Sequence, residues 1–154
     1  MTAGSTSYQL NSPWGIYVNA NFTLYVVDRG NHRIQKFEIS KLHVHSLLHS
    51  YIHEYILDQL NGTTIAGQSG VAGSWSYQFN SPTAITFDQY NNLYVMDSGN
   101  DRIQRWWPGS TYGVTVASAV LANPRGMAFD PWGNLVVTDM SYHRVVLFSV
   151  ACRK

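Results

Sequence analysis

One fourteen-residue pattern occurs three times in this chain. It reads LYVVDRGNHRIQKF from Leu24 to Phe37, LYVMDSGNDRIQRW from Leu93 to Trp106 and LVVTDMSYHRVVLF from Leu135 to Phe148, and the three copies align without a gap. Pro13, Pro82 and Pro124 stand at one constant offset ahead of Asp28, Asp97 and Asp139, and at a second constant offset ahead of Arg33, Arg102 and Arg144. Offsets held in register across all three copies identify a repeat protein, whose units bury their apolar faces by stacking on one another.

Each unit is a series of short β-branched and aromatic runs separated by Asn, Gly and Asp clusters, the composition of strands joined by turns. The first unit supplies GIYVN, LYVVD, RIQKF and TTIAG from Gly15, Leu24, Arg33 and Thr63; the second supplies AITFD, LYVMD, RIQRW and VTVAS from Ala84, Leu93, Arg102 and Val114. Four strands in the interval between Pro82 and Pro124 match a radial sheet. The expected fold is all-β, a partial propeller of four-stranded antiparallel blades in one domain over 1–154. Blade one spans about 10–67, blade two about 79–118 and blade three about 121–150.

Within the pattern, DRGNHR is read as the tight turn between the second and third strands. Gly30 and Gly99 are expected to take positive φ there, a conformation Asn31 and Asn100 tolerate. Asp28, Asp97 and Asp139 are expected to accept amide protons from that turn. They also face Arg33, Arg102 and Arg144, which emerge on the paired strand, so each Asp–Arg couple reads as a structural staple, one per blade.

The run P-x-G-I-x-V from Pro13, followed by N-x-x-L-Y-V-x-D-x-x-N-x-R-I-Q-x-F, resembles the NHL repeat, a family that builds six-bladed β-propellers. The resemblance covers most of the chain. Its third copy departs from the pattern, with Tyr142 in the place of Asn31 and Asn100 and Val145 in the place of isoleucine. The resemblance implies six blades where three are readable, so the chain is expected to be a C-terminal fragment whose missing blades come from a longer chain or from self-association. Thr2-Ala-Gly-Ser, compared with TTIAG, reads as the remnant of a preceding blade's fourth strand.

The prolines are spaced unequally, with a much longer interval from Pro13 to Pro82 than from Pro82 to Pro124. Removing residues 40–57, SKLHVHSLLHSYIHEYIL, restores most of the alignment. The removed segment has helical period in Val44, Leu47, Leu48, Tyr51, Ile52, Tyr55 and Ile56, which predicts an amphipathic helix near 42–57. His45, His49 and His53 fall on one face of it, a weak candidate for zinc beside Glu54. No cofactor is otherwise expected.

Composition excludes several function classes. Net charge is +1 and no run of Lys or Arg occurs, which argues against nucleic acid as a partner, and the RNA-binding NHL domains of ubiquitin-ligase-like proteins are only an alternative. The single cysteine, Cys152, builds neither a disulfide nor a multi-cysteine zinc site. No signal peptide or membrane segment is readable. The sequons at Asn21 and Asn61 lean toward an extracellular setting. The resemblance implies a non-catalytic interaction module that recognises a protein or other ligand through the loops of one face. Candidate binding residues are Arg29, His32, Asp101, Tyr142, His143, Trp75, Tyr77 and Arg125, of which His32, Asp101 and His143 occupy one position in successive copies. A propeller lyase or hydrolase with a channel metal is the other alternative.

Overall fold

The computed structural model describes residues 3–38 and 61–150. The helix expected near 42–57 and the histidines His45, His49 and His53 lie outside the described residues.

Three antiparallel sheets follow one another along the chain. Blade one is β1 (Pro13–Val18), β2 (Thr23–Asp28), β3 (Arg33–Glu38) and β4 (Thr63–Gly67), hydrogen-bonded in that order. Blade two is β5 (Ala84–Phe87), β6 (Leu93–Asp97), β7 (Arg102–Trp106) and β8 (Val114–Ala117), in the same order. Blade three has three strands among the described residues, β9 (Pro124–Phe129), β10 (Asn134–Asp139) and β11 (Arg144–Ser149). The first strands of neighbouring sheets pack against each other, β1 on β5 and β5 on β9, so they form the inner edge of the arc.

The middle blade explains why the strands alternate as they do. One face of blade two, with Phe79, Ile85, Leu93, Val95 and Trp106, packs on Val27, Ile34 and Ala66 of blade one. Its other face, with Tyr94, Met96, Ile103 and Ala117, packs on Leu121, Leu135 and Val137 of blade three. β6 is therefore buried at all five positions, as a strand covered on both sides must be. A Tyr17–Tyr25–Phe87 aromatic cluster, with centroids 4.7 to 6.1 Å apart, fills the first joint, and Tyr94 meets Phe129 edge-on at 5.0 Å in the second.

The segment expected to be the remnant of a fourth strand is something else. From Ala3 to Leu10 the chain forms no strand; it loops into blade one just as Ala72–Phe79 loops into blade two. The sequences AGSTSYQLNSP and AGSWSYQFNSP, from Ala3 and Ala72, show the equivalence. Gly4 N donates to Leu10 O and Gly73 N to Phe79 O, closing the two loops in the same way. Blade three is approached by the shorter Ser118–Asn123 segment, which holds no counterpart of this loop.

Candidate functional site

The DRGNHR turn and the approach loops meet at one end of the blades. Asp28 is fully buried, and its Oδ1 accepts the Asn11 backbone N–H at 2.7 Å while Oδ2 accepts Asn31 Nδ2 at 2.8 Å and Arg33 Nε at 2.7 Å. Arg33 then donates to the carbonyls of Ser5, Thr6 and Gln9 at 2.8 to 2.9 Å, pinning the whole approach loop. Blade two repeats the device: Asp97 holds the Asn80 amide, Asn100 and Arg102, and Arg102 holds the carbonyls of Ser74, Trp75 and Gln78. Burial pushes the Asp97 carboxyl up, against the hydrogen bonds from Asn100, Asn80 and Arg102 that hold it down. In blade three Asp139 keeps the Ala122 amide and Arg144, but Arg144 reaches only the Val120 carbonyl.

Two expectations about this turn need correction. The aspartates take their backbone amide from the approach segment at Asn11, Asn80 and Ala122, where the expectation placed it in the turn. Nor do Gly30 and Gly99 carry positive φ, since Arg29–Asn31 and Ser98–Asn100 are single 3-10 turns that close on a left-handed residue: His32 (φ 55°), Asp101 (φ 48°) and, in blade three, His143 (φ 49°). The glycines are needed for close approach. Gly30 N donates to Asn11 O at 2.8 Å, and a Cβ there would stand 2.6 Å from Asn11 Cγ and 2.8 Å from Asn11 O; Gly99 meets Asn80 in the same way.

The candidate binding residues gather at this end but do different things. His32 Nδ1 accepts the Ser81 amide at 3.1 Å, and Asp101 Oδ1 accepts the Asn123 amide at 2.7 Å, so both tie one blade to the next. Trp75 and Tyr77 expose their rings on the approach loop, the Trp75 carbonyl being held by Arg102. Arg29 lies over the Trp14 ring at 5.2 Å, and Arg144 over Tyr142 at 4.8 Å. Arg125 and His143 border an open depression of about 520 Å³ on blade three.

The opposite end, which carries the hairpins between first and second strands, holds the more enclosed concavities, and sequence reasoning passed over it. Each hairpin is closed by an Asx turn: Asn19 Oδ1 accepts the amides of Asn21 and Thr23, Asp88 Oδ1 those of Tyr90 and Asn92, and Asp130 Oδ1 those of Trp132 and Asn134. The Asn134 amide group on Oδ2 helps to hold the Asp130 carboxyl below the usual range. Phe22, Tyr90 and Trp132 project from the hairpin tips, Trp132 with 82% of its surface exposed.

Between these hairpins run two clefts of about 380 Å³ each, one at each joint between blades. Lys36 borders the first with Tyr17, Tyr25 and Trp107; Arg105, in the equivalent position, borders the second with Tyr90, Tyr94 and Trp132. Lys36 is engaged by Glu38 at 2.5 Å, which raises the lysine and lowers the carboxyl. The Arg105 guanidinium rests over the Trp107 ring at 4.8 Å, and its buried Nε has no hydrogen-bond partner among the described residues. Burial raises the neighbouring Tyr94 hydroxyl, which donates to Asp88 Oδ2 at 3.3 Å. The cleft residues come from two blades and from strands far apart in sequence. The signal available beforehand was an aromatic at each hairpin tip beside an Asx turn.

Among the described residues no three His, Cys, Asp or Glu side chains are grouped as a metal cage requires, and no helix is long and apolar enough to cross a membrane.

Comparison with known proteins places these features. The NHL repeat model matches residues 10–37. No curated protein matches the sequence. Among solved structures, 96% of the chain superposes on virginiamycin B lyase from Staphylococcus aureus with a TM-score of 0.61 at 13% identity, covering 41% of that chain. A chain of the nidogen/laminin complex gives 0.59 at 21% identity, with 89% of this chain and 48% of that one covered. A streptogramin B lyase gives 0.55 at 16%, with 93% and 42% covered. The chain thus spans less than half the length of each of these three structures. Residues 10–37 are an NHL repeat, and with the two further copies of its pattern they make three blades of a β-propeller.

Proposed function

We propose that the chain is a non-catalytic binding module that recognises a protein segment at its hairpin end. The observation that carries this reading is the pair of projecting hairpin-tip aromatics Tyr90 and Trp132 bordering the cleft that holds Arg105, beside a second cleft bordered by Lys36, Tyr17, Tyr25 and Trp107. Tyr, Trp and Arg anchor protein interfaces because they bring large contact area with little conformational entropy to lose. The carboxylates at this end favour binding over acid–base chemistry: Asp88 and Asp130 commit both oxygens to their own hairpins. The turn-end candidates form a second surface, with Trp75 and Tyr77 exposed, but His32 and Asp101 are engaged between blades. A lyase reading draws on the names of two neighbours at 13 and 16% identity, a likeness that extends to the fold alone.

Selection of a displayed random-peptide library on the chain tests the proposal. Enriched peptides should lose about tenfold or more in affinity on Trp132→Ala or Tyr90→Ala, and little on Trp75→Ala. Peptides that respond to Trp75→Ala and ignore Trp132→Ala would move the site to the turn end, and no enrichment at all would overturn the peptide-binding reading.

A further inference from the structure

Both joints between blades use one latch. The left-handed residue closing a blade's DRGNHR turn accepts the backbone amide of the residue just before the next blade's leading proline, at Ser81 from His32 and at Asn123 from Asp101. The donor residue is itself left-handed, with φ 48° at Ser81 and 55° at Asn123, ahead of Pro82 and Pro124. The two ends of the array carry the separated halves of this latch. Ser12, ahead of Pro13, has φ 49°, and His143 closes the blade-three turn with φ 49°. Among the described residues, neither the Ser12 amide nor the His143 imidazole has a hydrogen-bond partner, whereas their counterparts in the joints do.

The sheet faces behind these two groups are matched in the same way. Ile16 and Val18 of blade one correspond to Ile85 and Phe87, which pack against blade one from blade two, yet they are 69% and 49% exposed. On blade three, Val145 and Leu147 occupy the places of Ile103 and Arg105 on the blade-two face that packs on blade three, and they are 65% and 58% exposed. The chain covers 41 to 48% of the virginiamycin B lyase, streptogramin B lyase and nidogen/laminin chains compared above, so two copies hold nearly the span of one of them.

We propose that two copies of this chain associate head to tail, with the Val145–Leu147 face of each against the Ile16–Val18 face of the other and His143 accepting the partner's Ser12 amide. The contact is heterologous, and the two joints of a pair close it into a ring. This association is independent of the hairpin-end reading, because it uses the lateral faces and the turn end.

Sedimentation of the chain at micromolar concentration tests the proposal, with Ile16→Asp blocking one face and Val145→Asp the other. Both positions are exposed, so neither change disturbs a blade's interior. The parent should be a dimer and each variant alone a monomer. An equimolar mixture of the two variants should regain a dimer through the one joint that both halves leave intact. His143→Ala should weaken the parent association by about tenfold per joint, the loss of one hydrogen bond, and His143→Asp should restore it because aspartate does this work at Asp101. A parent that stays monomeric, a dimer that survives either single block, or a mixture that fails to pair would each overturn the head-to-tail arrangement.

Discussion

Blades one and two differ from blade three at the same turn, and the difference separates what the pattern requires from what merely accompanies it. In the first two blades the arginine joins the aspartate to three carbonyls of a long approach loop and is nearly buried, at 3% and 12% exposure. In blade three the loop is short, Arg144 has one carbonyl and is 46% exposed, and the pair opens from 2.7 to 3.0 Å. Where the glycine is replaced by Ser141, the turn also backs away: its amide stands 3.2 Å from Ala122 O, against 2.8 and 2.9 Å in the other blades. The aspartate, its approach amide and the arginine Nε persist throughout. The aspartate is thus the hub of the turn, and the glycine and asparagine tighten it.

The largest break in this comparison should come from removing the hub. Asp97→Ala takes the carboxylate acceptor from Arg102 Nε, from one Asn100 N–H and from the Asn80 amide, while the carbonyl partners of Arg102 and Asn100 remain, and should cost about 3 kcal/mol, as for other buried pairs that lose one member. Asp139→Ala should cost about 1 kcal/mol, since water reaches the half-exposed Arg144. Denaturant unfolding of the two variants measures the gap; equal losses would mean that the long approach loop adds nothing.

The glycine comes next. Gly99→Ala drives a methyl into the Asn80 backbone and should cost about 2 kcal/mol. Ser141→Gly should cost nothing measurable. A Gly99→Ala protein as stable as the parent would show that the approach to Asn80 does not require a glycine.

A smaller effect is expected from making blade three resemble its neighbours. Tyr142→Asn restores the side-chain donor that Asn31 and Asn100 give their aspartates, and with Ser141→Gly it should add about 1 kcal/mol of stability. A fall in melting temperature would show that the Arg144–Tyr142 stack outweighs the missing hydrogen bond.

The smallest effect is the pH dependence of the Asp97→Ala deficit. Burial raises this carboxyl, so the folded chain binds its proton more readily than the unfolded chain does. The stability linked to it is present at low pH and lost as pH rises through the folded-state pKa. The deficit should therefore be slightly wider in acid than at neutrality, and a deficit that narrows on acidification would show the ion pair to dominate over burial.

The blades and their staples were legible in the sequence because the spacing of Asp and Arg on paired strands depends on the local chain alone. The roles of Gly30 and Gly99 were hidden, since close approach to Asn11 and Asn80 is a relation between separate segments, and glycine serves it as readily as it serves positive φ. The latch was half visible: His32, Asp101 and His143 stood out as one recurring position, but their partners lie in the next blade. The hairpin clefts were hidden for the same reason, as Tyr90 and Trp132 come together only when two sheets stack. Thr2-Ala-Gly-Ser suggested a strand because four residues are too few to tell a strand from a loop, whereas the longer match from Ala3 to the loop at Ala72 separates the two.

The reach of the arginine clamps has a bearing on how the molecule is made. Every side-chain hydrogen-bond partner of Arg33 and Arg102 precedes it in the chain by at most 28 residues, so a nascent blade can fasten its second and third strands to its own approach loop as soon as the arginine emerges. Blades one and two can thus lock in order of synthesis without waiting for later blades. Blade three, with a single clamp carbonyl, is the least fastened of the three by its own arginine.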